Sequence, residues 1–264
     1  MQPVSSLMKS TTLALSAALL TFSSHVFAAG LQVTPISLQI PVGRQAEGIW
    51  LLNTSQEPLS AQVRVFQWLQ KDGEDLLAPT STLTISPPLI DIPPGGRQLV
   101  RVLRTGPAPA AGLESSYRLI VDELPTETQQ QARAQADANS SGKAKLAYGM
   151  NFLMRYSVPV FVGDATEEDI KAASAQLRWN ISKQNDQWTI EVQNNGTIRT
   201  QLADLQAIDA SGNTMPVSNG MLGYVLPGSS MRWSIPAPPL PSPVKGWQAM
   251  VNSDVQRINV PASR

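Results

Sequence analysis

The stretch LAYGMNFLMRYSVPVFV, from Leu146 to Val162, decides the fold of this chain because it alternates strictly. Every second side chain is apolar or aromatic and the intervening positions are mixed, which is the pattern of a β-strand with one apolar face. At about 3.3 Å per residue the run would extend about 55 Å, roughly three times the length of an ordinary strand. The apolar series is Leu146, Tyr148, Met150, Phe152, Met154, Tyr156, Val158, Val160 and Val162.

This long apolar face has two interpretations. A sandwich domain of about 100 residues cannot easily cover it, so part of the face can be meant for another protein. Alternatively, the run forms two consecutive strands, kinked at Gly149 or Pro159, that are both buried in the chain's own core. The residues alone leave both interpretations open.

The rest of the chain reads as short strands separated by turn residues. From Leu31 onwards, apolar runs end at turn signals such as Asp72-Gly73 and Pro94-Gly95, which predicts an immunoglobulin-like sandwich of about seven strands. A second series of strands, ending near Ile258, predicts a second sandwich of about 100 residues. The predicted fold class is therefore all-β, with two immunoglobulin-like domains.

The predicted boundaries follow changes in composition. Residues 1–29 read as a signal peptide, with Lys9 before an apolar segment and small residues at the cleavage site. Residues 30–162 form the first domain and residues 163–264 the second, with a connection after Val162 that holds one helical turn. The polar stretch over residues 126–145 predicts a long loop, for which a short exposed helix is the alternative.

Composition excludes several classes of function. The 264-residue chain carries 20 basic and 20 acidic residues, and its basic residues are scattered, so no nucleic-acid surface is expected. It has no cysteine, and its single histidine, His25, lies in the predicted signal peptide. Disulfides, His-based triads and imidazole or thiolate metal sites are thereby excluded from the mature chain, and no cofactor is expected. No later apolar run is long enough to span a membrane, so membrane insertion is not expected.

An ordered series of motifs resembles the periplasmic chaperones of the chaperone–usher pilus pathway. The resemblance covers essentially the whole mature chain and is closest to the archaic branch. The motifs are Ala78-Pro79-Thr80, Ser86-Pro87-Pro88, the run from Ile92 to Arg101, Tyr117-Arg118-Leu119, Asp122-Glu123-Leu124-Pro125, Arg155-Tyr156-Ser157-Val158-Pro159-Val160, Asn195-Gly196-Thr197 and the run from Tyr224 to Ser229.

The resemblance implies two domains in a boomerang arrangement and a function without catalysis. In this family the last strand of the first domain, here about residues 146–160, is lent to an incomplete pilus subunit and completes its fold. The implied location is the periplasm, and the implied partners are pilus subunits and an outer-membrane usher. Self-association of the free chaperone stays open. The implied subunit-binding residues are Leu146, Tyr148, Met150, Phe152 and Met154.

The family also anchors the subunit's C-terminal carboxylate with two basic residues, and here the pattern departs from it. Ser37 stands at the first-strand position and supplies no charge. Arg155, on the last strand, falls near the expected lysine, and Arg118 is the natural replacement for the missing cation. Alternatively, Arg118 pairs with Asp122 or Glu123, and Arg155 is a solvated strand residue. Arg101 is a weaker third candidate.

Two other functions compete with a chaperone. One is a secreted two-domain structural subunit or adhesin. The other is a carboxylate enzyme such as a glycosidase using Glu114, Asp122 or Glu123, although nothing in their spacing marks a catalytic pair. Trp50 and Trp68 are predicted to be core residues.

Overall fold

The computed structural model describes residues 30–125, 153–237, 243–252 and 257–260, and they form two β-sandwiches. Within these residues the first sandwich contains ten strands. They are β1 (Leu31–Thr34), β2 (Leu38–Ile40), β3 (Ala46–Asn53), β4 (Leu59–Lys71), β5 (Glu74–Pro79), β6 (Leu83–Ser86), β7 (Leu89–Ile92), β8 (Arg97–Arg104), β9 (Ser115–Leu124) and β10 (Arg155–Val162).

These strands build a four-stranded sheet, in the order β1-β3-β8-β6, and a six-stranded sheet, in the order β2-β10-β9-β4-β5 with β7 paired to β4. The pairings are antiparallel except that β2 runs parallel to β10. The inward-facing residues of both sheets meet in one core, which includes the fully buried Ile49, Val100, Leu119 and Val160. The core arises because alternate strand residues point to the same face.

The second sandwich has its own core. Its strands are β11 (Leu177–Gln184), β12 (Gln187–Asn194), β13 (Thr200–Asp209), β14 (Thr214–Pro216), β15 (Met221–Val225), β16 (Ser230–Pro236), β17 (Val244–Val251) and β18 (Arg257–Val260). A three-stranded sheet, β11-β12-β16, faces a five-stranded sheet of β14-β13-β17-β18 with β15 paired to β13. Ile190, Leu202 and Val225 are fully buried between them. The predicted all-β fold class with two immunoglobulin-like sandwiches is confirmed.

A short connection joins the two sandwiches. The helical turn expected after Val162 is present as α1 (Glu167–Ala172), followed by a 3-10 turn over Ala173–Gln176. Thr166 and Asp169 form a capping box at its start, in which each side chain bonds the other residue's backbone N–H. The exact boundaries of the signal peptide and the two domains stay predictions.

The two sandwiches also contact each other directly. Trp68 and Phe161 of the first sandwich pack with Leu226 of the second, and all three are at most 3% exposed. The side-chain amide of Gln70 donates to the Tyr224 carbonyl oxygen at 2.9 Å and accepts from the Leu226 N–H at 2.8 Å. The region around Trp68, Phe161, Tyr224 and Leu226, where the two sandwiches meet on the outer face of β10, is called the cleft below.

Candidate functional site

Strand β10 has two different faces. Val158, Val160 and Val162 are at most 4% exposed and belong to the first core, and Tyr156 packs against the same core. The odd-numbered residues lie on the opposite face, where Arg155 is exposed and Phe161 is buried at the domain junction. Over β10, the apolar face recognised in the sequence is therefore the core face.

The predicted donor residues precede this strand. Four of them, Leu146, Tyr148, Met150 and Phe152, lie outside the described residues. Met154 is described, and its side chain is 48% exposed. Its backbone is held on both sides by Glu123, because the Met154 N–H donates to Oε2 at 3.2 Å and its carbonyl oxygen accepts from the Glu123 N–H at 3.0 Å. The apolar Met154 side chain thus faces solvent just before the point where the core face of β10 begins.

One edge of β10 is only partly covered. Strand β9 pairs along its whole length, but β2 pairs on the other edge only from Val160 to Val162. Within the described chain, residues 155–159 have no strand partner on this edge, and β1 pairs with β3 of the other sheet. A shallow groove lies there, lined by Leu31, Val33, Ile36, Tyr156 and Val158 among others. Unpaired backbone next to an apolar groove can accept another strand.

Arg118 projects from β9 on the other face of this sheet, into the cleft. Its guanidinium carbon lies 3.6 Å from the centroid of the Trp68 ring and 5.9 Å from that of Tyr224. Burial lowers the pKa of Arg118, and the negative charge of Asp75 offsets this only in part. Within the described residues the guanidinium has neither a hydrogen bond nor an ion pair, so its donors are open to a ligand.

The alternative partners considered for Arg118 are engaged elsewhere. Asp122 forms ion pairs with Arg155 and, at 2.7 Å, with Arg64. Glu123 accepts hydrogen bonds from the backbone N–H groups of Leu31 and Met154, both at 3.2 Å. Arg118 pairs with neither carboxylate.

Arg155 differs from Arg118 although both are on the cleft side of the sheet. It lies opposite Asp122 across the β9–β10 ladder and pairs with that carboxylate, while 67% of its side chain stays exposed. Burial alone would raise the pKa of Asp122, but hydrogen bonds and charges from Arg155 and Arg64 hold it below its usual range. Arg155 therefore already has a carboxylate partner, which it shares with Arg64.

The structure also places the other residues singled out in the sequence. Ser37 is exposed in the turn before β2, and Arg101 is exposed on β8, in the sheet that does not carry Arg118. Trp68 is buried as predicted, but the prediction that Trp50 is a core residue is wrong. Trp50 is 40% exposed on the outer face of the four-stranded sheet, where the Arg97 guanidinium carbon lies 4.6 Å from its ring centroid. The guanidinium covers one face of the indole ring, although no other sheet of the described residues packs against this side of the sandwich.

Another guanidinium of the cleft was missed by sequence reasoning. Arg199 lies 3.6 Å from the Phe161 ring centroid, forms an ion pair with Glu114 and donates to Gln39 Oε1 at 3.2 Å. The Glu114 side chain is only 1% exposed, and burial raises its pKa while Arg199 lowers it. The pair ties the second sandwich to the first. No local pattern marks it, because its members come from different domains.

The described residues contain no group of His, Cys, Asp and Glu that could hold a metal ion. Of the helices in those residues, none combines the length and the apolar character needed to cross a membrane. The three carboxylates considered for catalysis, Glu114, Asp122 and Glu123, are engaged by the arginine or backbone N–H donors described above.

The fold and the geometry thus define a class of protein: it has two immunoglobulin-like domains, a strand edge that is unpaired within the described residues, and an unpaired arginine where the domains meet. Residues 30–163 match the family described as pili and flagellar-assembly chaperone, PapD N-terminal domain. The chain belongs to this family of assembly chaperones. No curated protein sequence matches it.

Solved structures agree with the family. A chain of the chaperone–tip adhesion subunit pre-assembly complex CsuC–CsuE, from archaic chaperone-usher Csu pili of Acinetobacter baumannii, is 27% identical with a TM-score of 0.61. The match covers 88% of this chain and 97% of that one. The SafA pilin–SafB chaperone complex of Salmonella enterica matches at 15% identity and a TM-score of 0.57, covering 87% and 95%. The CupB2 chaperone of Pseudomonas aeruginosa matches at 16% and 0.54, covering 86% and 97%. The last two matches show the fold alone. The alternative that the chain is a structural subunit or adhesin is not favoured.

Proposed function

We propose that this protein is a periplasmic chaperone that captures incomplete pilus subunits by lending them the strand that leads into β10. The observation that carries the proposal is the even-numbered apolar series. It forms the core face over β10, and in the sequence it continues upstream to Leu146. The CsuC–CsuE and SafA–SafB structures, which resemble this chain, are complexes of a chaperone with a subunit or pilin.

The physical basis is strand addition. A subunit that lacks its last strand exposes core side chains and an unpaired backbone edge, and such edges aggregate. A lent strand supplies main-chain hydrogen bonds together with an apolar side chain at every second position. Burying each large side chain would contribute about 1.5–3 kcal/mol before ordering costs are subtracted. Met150 and Met154 fit irregular pockets, which suits a surface that binds several different subunits.

Arg118 is proposed as the main anchor for the subunit's C-terminal carboxylate. Its guanidinium is stacked on Trp68 and has no partner in the described chain. The donors of a guanidinium lie in its plane, so stacking leaves them free to bind a carboxylate bidentately. Arg155 stays a prediction as the second anchor. Its pairing with Asp122 means that a ligand would have to compete with a carboxylate already in place.

The wider pathway follows from the same proposal. The chaperone would deliver its subunit to an outer-membrane usher and would catalyse no reaction. The edge of β10 that has no strand partner within the described residues also offers a route for the free chaperone to self-associate until a subunit arrives.

The test is co-purification of the periplasmic chaperone with its cognate subunit. We expect Phe152→Asp to abolish the soluble one-to-one complex, because a charge would enter the apolar groove of the subunit. Asn151→Asp is the matched control, since it adds the same charge at the neighbouring position of opposite parity and should still capture subunit. Normal capture by a folded Phe152→Asp variant would contradict the donor-strand assignment.

A further inference from the structure

The hydroxyl of Tyr224 is a polar group of the cleft that the proposed anchor leaves unused. Tyr224 lies on β15 of the second sandwich, and its ring packs edge-on against Trp68 with the centroids 5.5 Å apart. The same Trp68 ring carries the Arg118 guanidinium. One tryptophan therefore holds a cation from the first domain and a phenol from the second side by side.

Neither group has a hydrogen-bond partner for its donors within the described chain. Of the nearby carboxylates, Glu114 is paired with Arg199 and Asp122 with Arg64 and Arg155. Asp75 accepts from the Trp68 indole N–H at 2.8 Å and from Gln70 at 2.9 Å. A partly buried phenol and a partly buried guanidinium whose donors are both free within the described residues are suited to bind an anion together.

The position of Tyr224 is also fixed. Gln70 of the first sandwich bonds the Tyr224 carbonyl oxygen and the Leu226 N–H, so it holds the backbone on either side of Val225. The ring is further confined by Phe161, whose centroid lies 5.6 Å away. A donor held in this way loses little conformational entropy when it binds a ligand.

The electrostatic surroundings favour a neutral phenol beside positive charge. Burial raises the pKa of Tyr224, and the charges of Arg199 and Arg118 lower it only in part. The hydroxyl therefore keeps its proton at neutral pH and can donate to a carboxylate, which is a stronger bond than one between neutral groups.

Building on the function proposed above, we propose that the Tyr224 hydroxyl donates a hydrogen bond to the same C-terminal carboxylate that Arg118 binds. The anion site is then closed by one residue from each domain. Subunit capture would depend on the docking of the second sandwich as well as on the lent strand.

The test is a double-mutant cycle between chaperone and subunit. Affinity is measured for wild type, Tyr224→Phe and Arg118→Ala, each with the cognate subunit and with a subunit extended by two glycines, which moves its carboxylate. We expect Tyr224→Phe to weaken binding of the native subunit by about tenfold, the effect of losing a hydrogen bond to a charged group. It should not change binding of the extended subunit. Tyr117→Phe is the control and should bind as wild type does. Tyr117 lies next to Arg118 on β9, but its side chain is on the opposite face of that sheet, in the first core.

The possible failures are distinguishable. If Tyr224→Phe binds both subunits as tightly as wild type while Arg118→Ala loses affinity only for the native one, Arg118 is the anchor and the Tyr224 proposal is wrong. If wild type binds the native and extended subunits equally, the carboxylate is not recognised and both assignments fall. If wild type binds neither subunit, the chaperone function itself is contradicted.

Discussion

Two guanidinium groups on either side of the cleft rest on aromatic rings at the same distance but differ in what neutralises them. Arg199 lies 3.6 Å from the Phe161 centroid and pairs with the buried Glu114. Arg118 lies 3.6 Å from the Trp68 centroid and has no ion-pair partner in the described chain. Burying a charge without a partner is unfavourable. The difference indicates that Arg199 joins the two domains, whereas Arg118 is available to bind a ligand.

Removing the unpaired cation should have the largest effect on binding. We expect Arg118→Ala to weaken subunit binding by about 100-fold, because the carboxylate would lose charge-assisted and bidentate hydrogen bonds. Stability should change little, because no ion pair is lost and the lost stacking on Trp68 is offset by removal of a buried, unpaired charge. Arg101→Ala, at an exposed site on the other sheet, is the control. Titration calorimetry gives the affinity, and an unchanged affinity for Arg118→Ala would show that this guanidinium does not bind the subunit's carboxylate.

Breaking the ion pair of Arg199 should lower the stability of the fold, whereas removing Arg118 should lower subunit binding. Glu114→Ala leaves the Arg199 guanidinium buried without its carboxylate, and we expect the free energy of unfolding to fall by about 2 kcal/mol. Glu114→Gln keeps a hydrogen-bond acceptor and should lose less. Urea denaturation measures both. Equal stability of Glu114→Ala and wild type would show that the pair does not hold the junction.

Arg155 should have a smaller effect on capture than Arg118. Its side chain is 67% exposed and already paired with Asp122, and exposed ion pairs contribute little. We expect Arg155→Ala to change subunit affinity by about threefold at most. A loss as large as that of Arg118→Ala, measured in the same titration, would make the two residues equal anchors.

The smallest effect concerns acid stability. Despite desolvation, Arg155 and Arg64 hold the pKa of Asp122 low, so its carboxylate stabilises the fold above the unfolded pKa of about 3.9. That contribution is lost as the pH falls through the lower folded pKa. Arg155→Ala should raise the pKa of Asp122. The acid unfolding of this variant should therefore begin at a slightly higher pH than that of wild type. An NMR titration of the carboxyl carbon checks this, and an unshifted Asp122 would contradict it.

The parity of β10 could be predicted from the sequence because a strand has a strict two-residue period, and Val158, Val160 and Val162 are buried as that period requires. Trp50 could not be assigned in the same way. It lies in the continuous apolar run Ile49-Trp50-Leu51-Leu52, where the period is lost, and only Ile49 and Leu51 are fully buried.

The cleft was predictable only in part. Arg118 was a candidate from its motif, but its stacking on Trp68 and its proximity to Tyr224 depend on two domains docking. The Arg199–Glu114 pair depends on the same docking. Contacts between residues so far apart in the chain leave no local period or spacing in a single sequence.

The most direct test of the lent strand uses the absence of cysteine from this chain. Single cysteines are introduced at each position from 146 to 154, and their reaction with a soluble thiol reagent is measured with and without bound subunit. We expect even-numbered positions to become protected when the subunit binds, while odd-numbered positions keep most of their reactivity. Protection that ignores parity, or that is absent from this segment, would contradict the claim that these side chains fill the subunit groove.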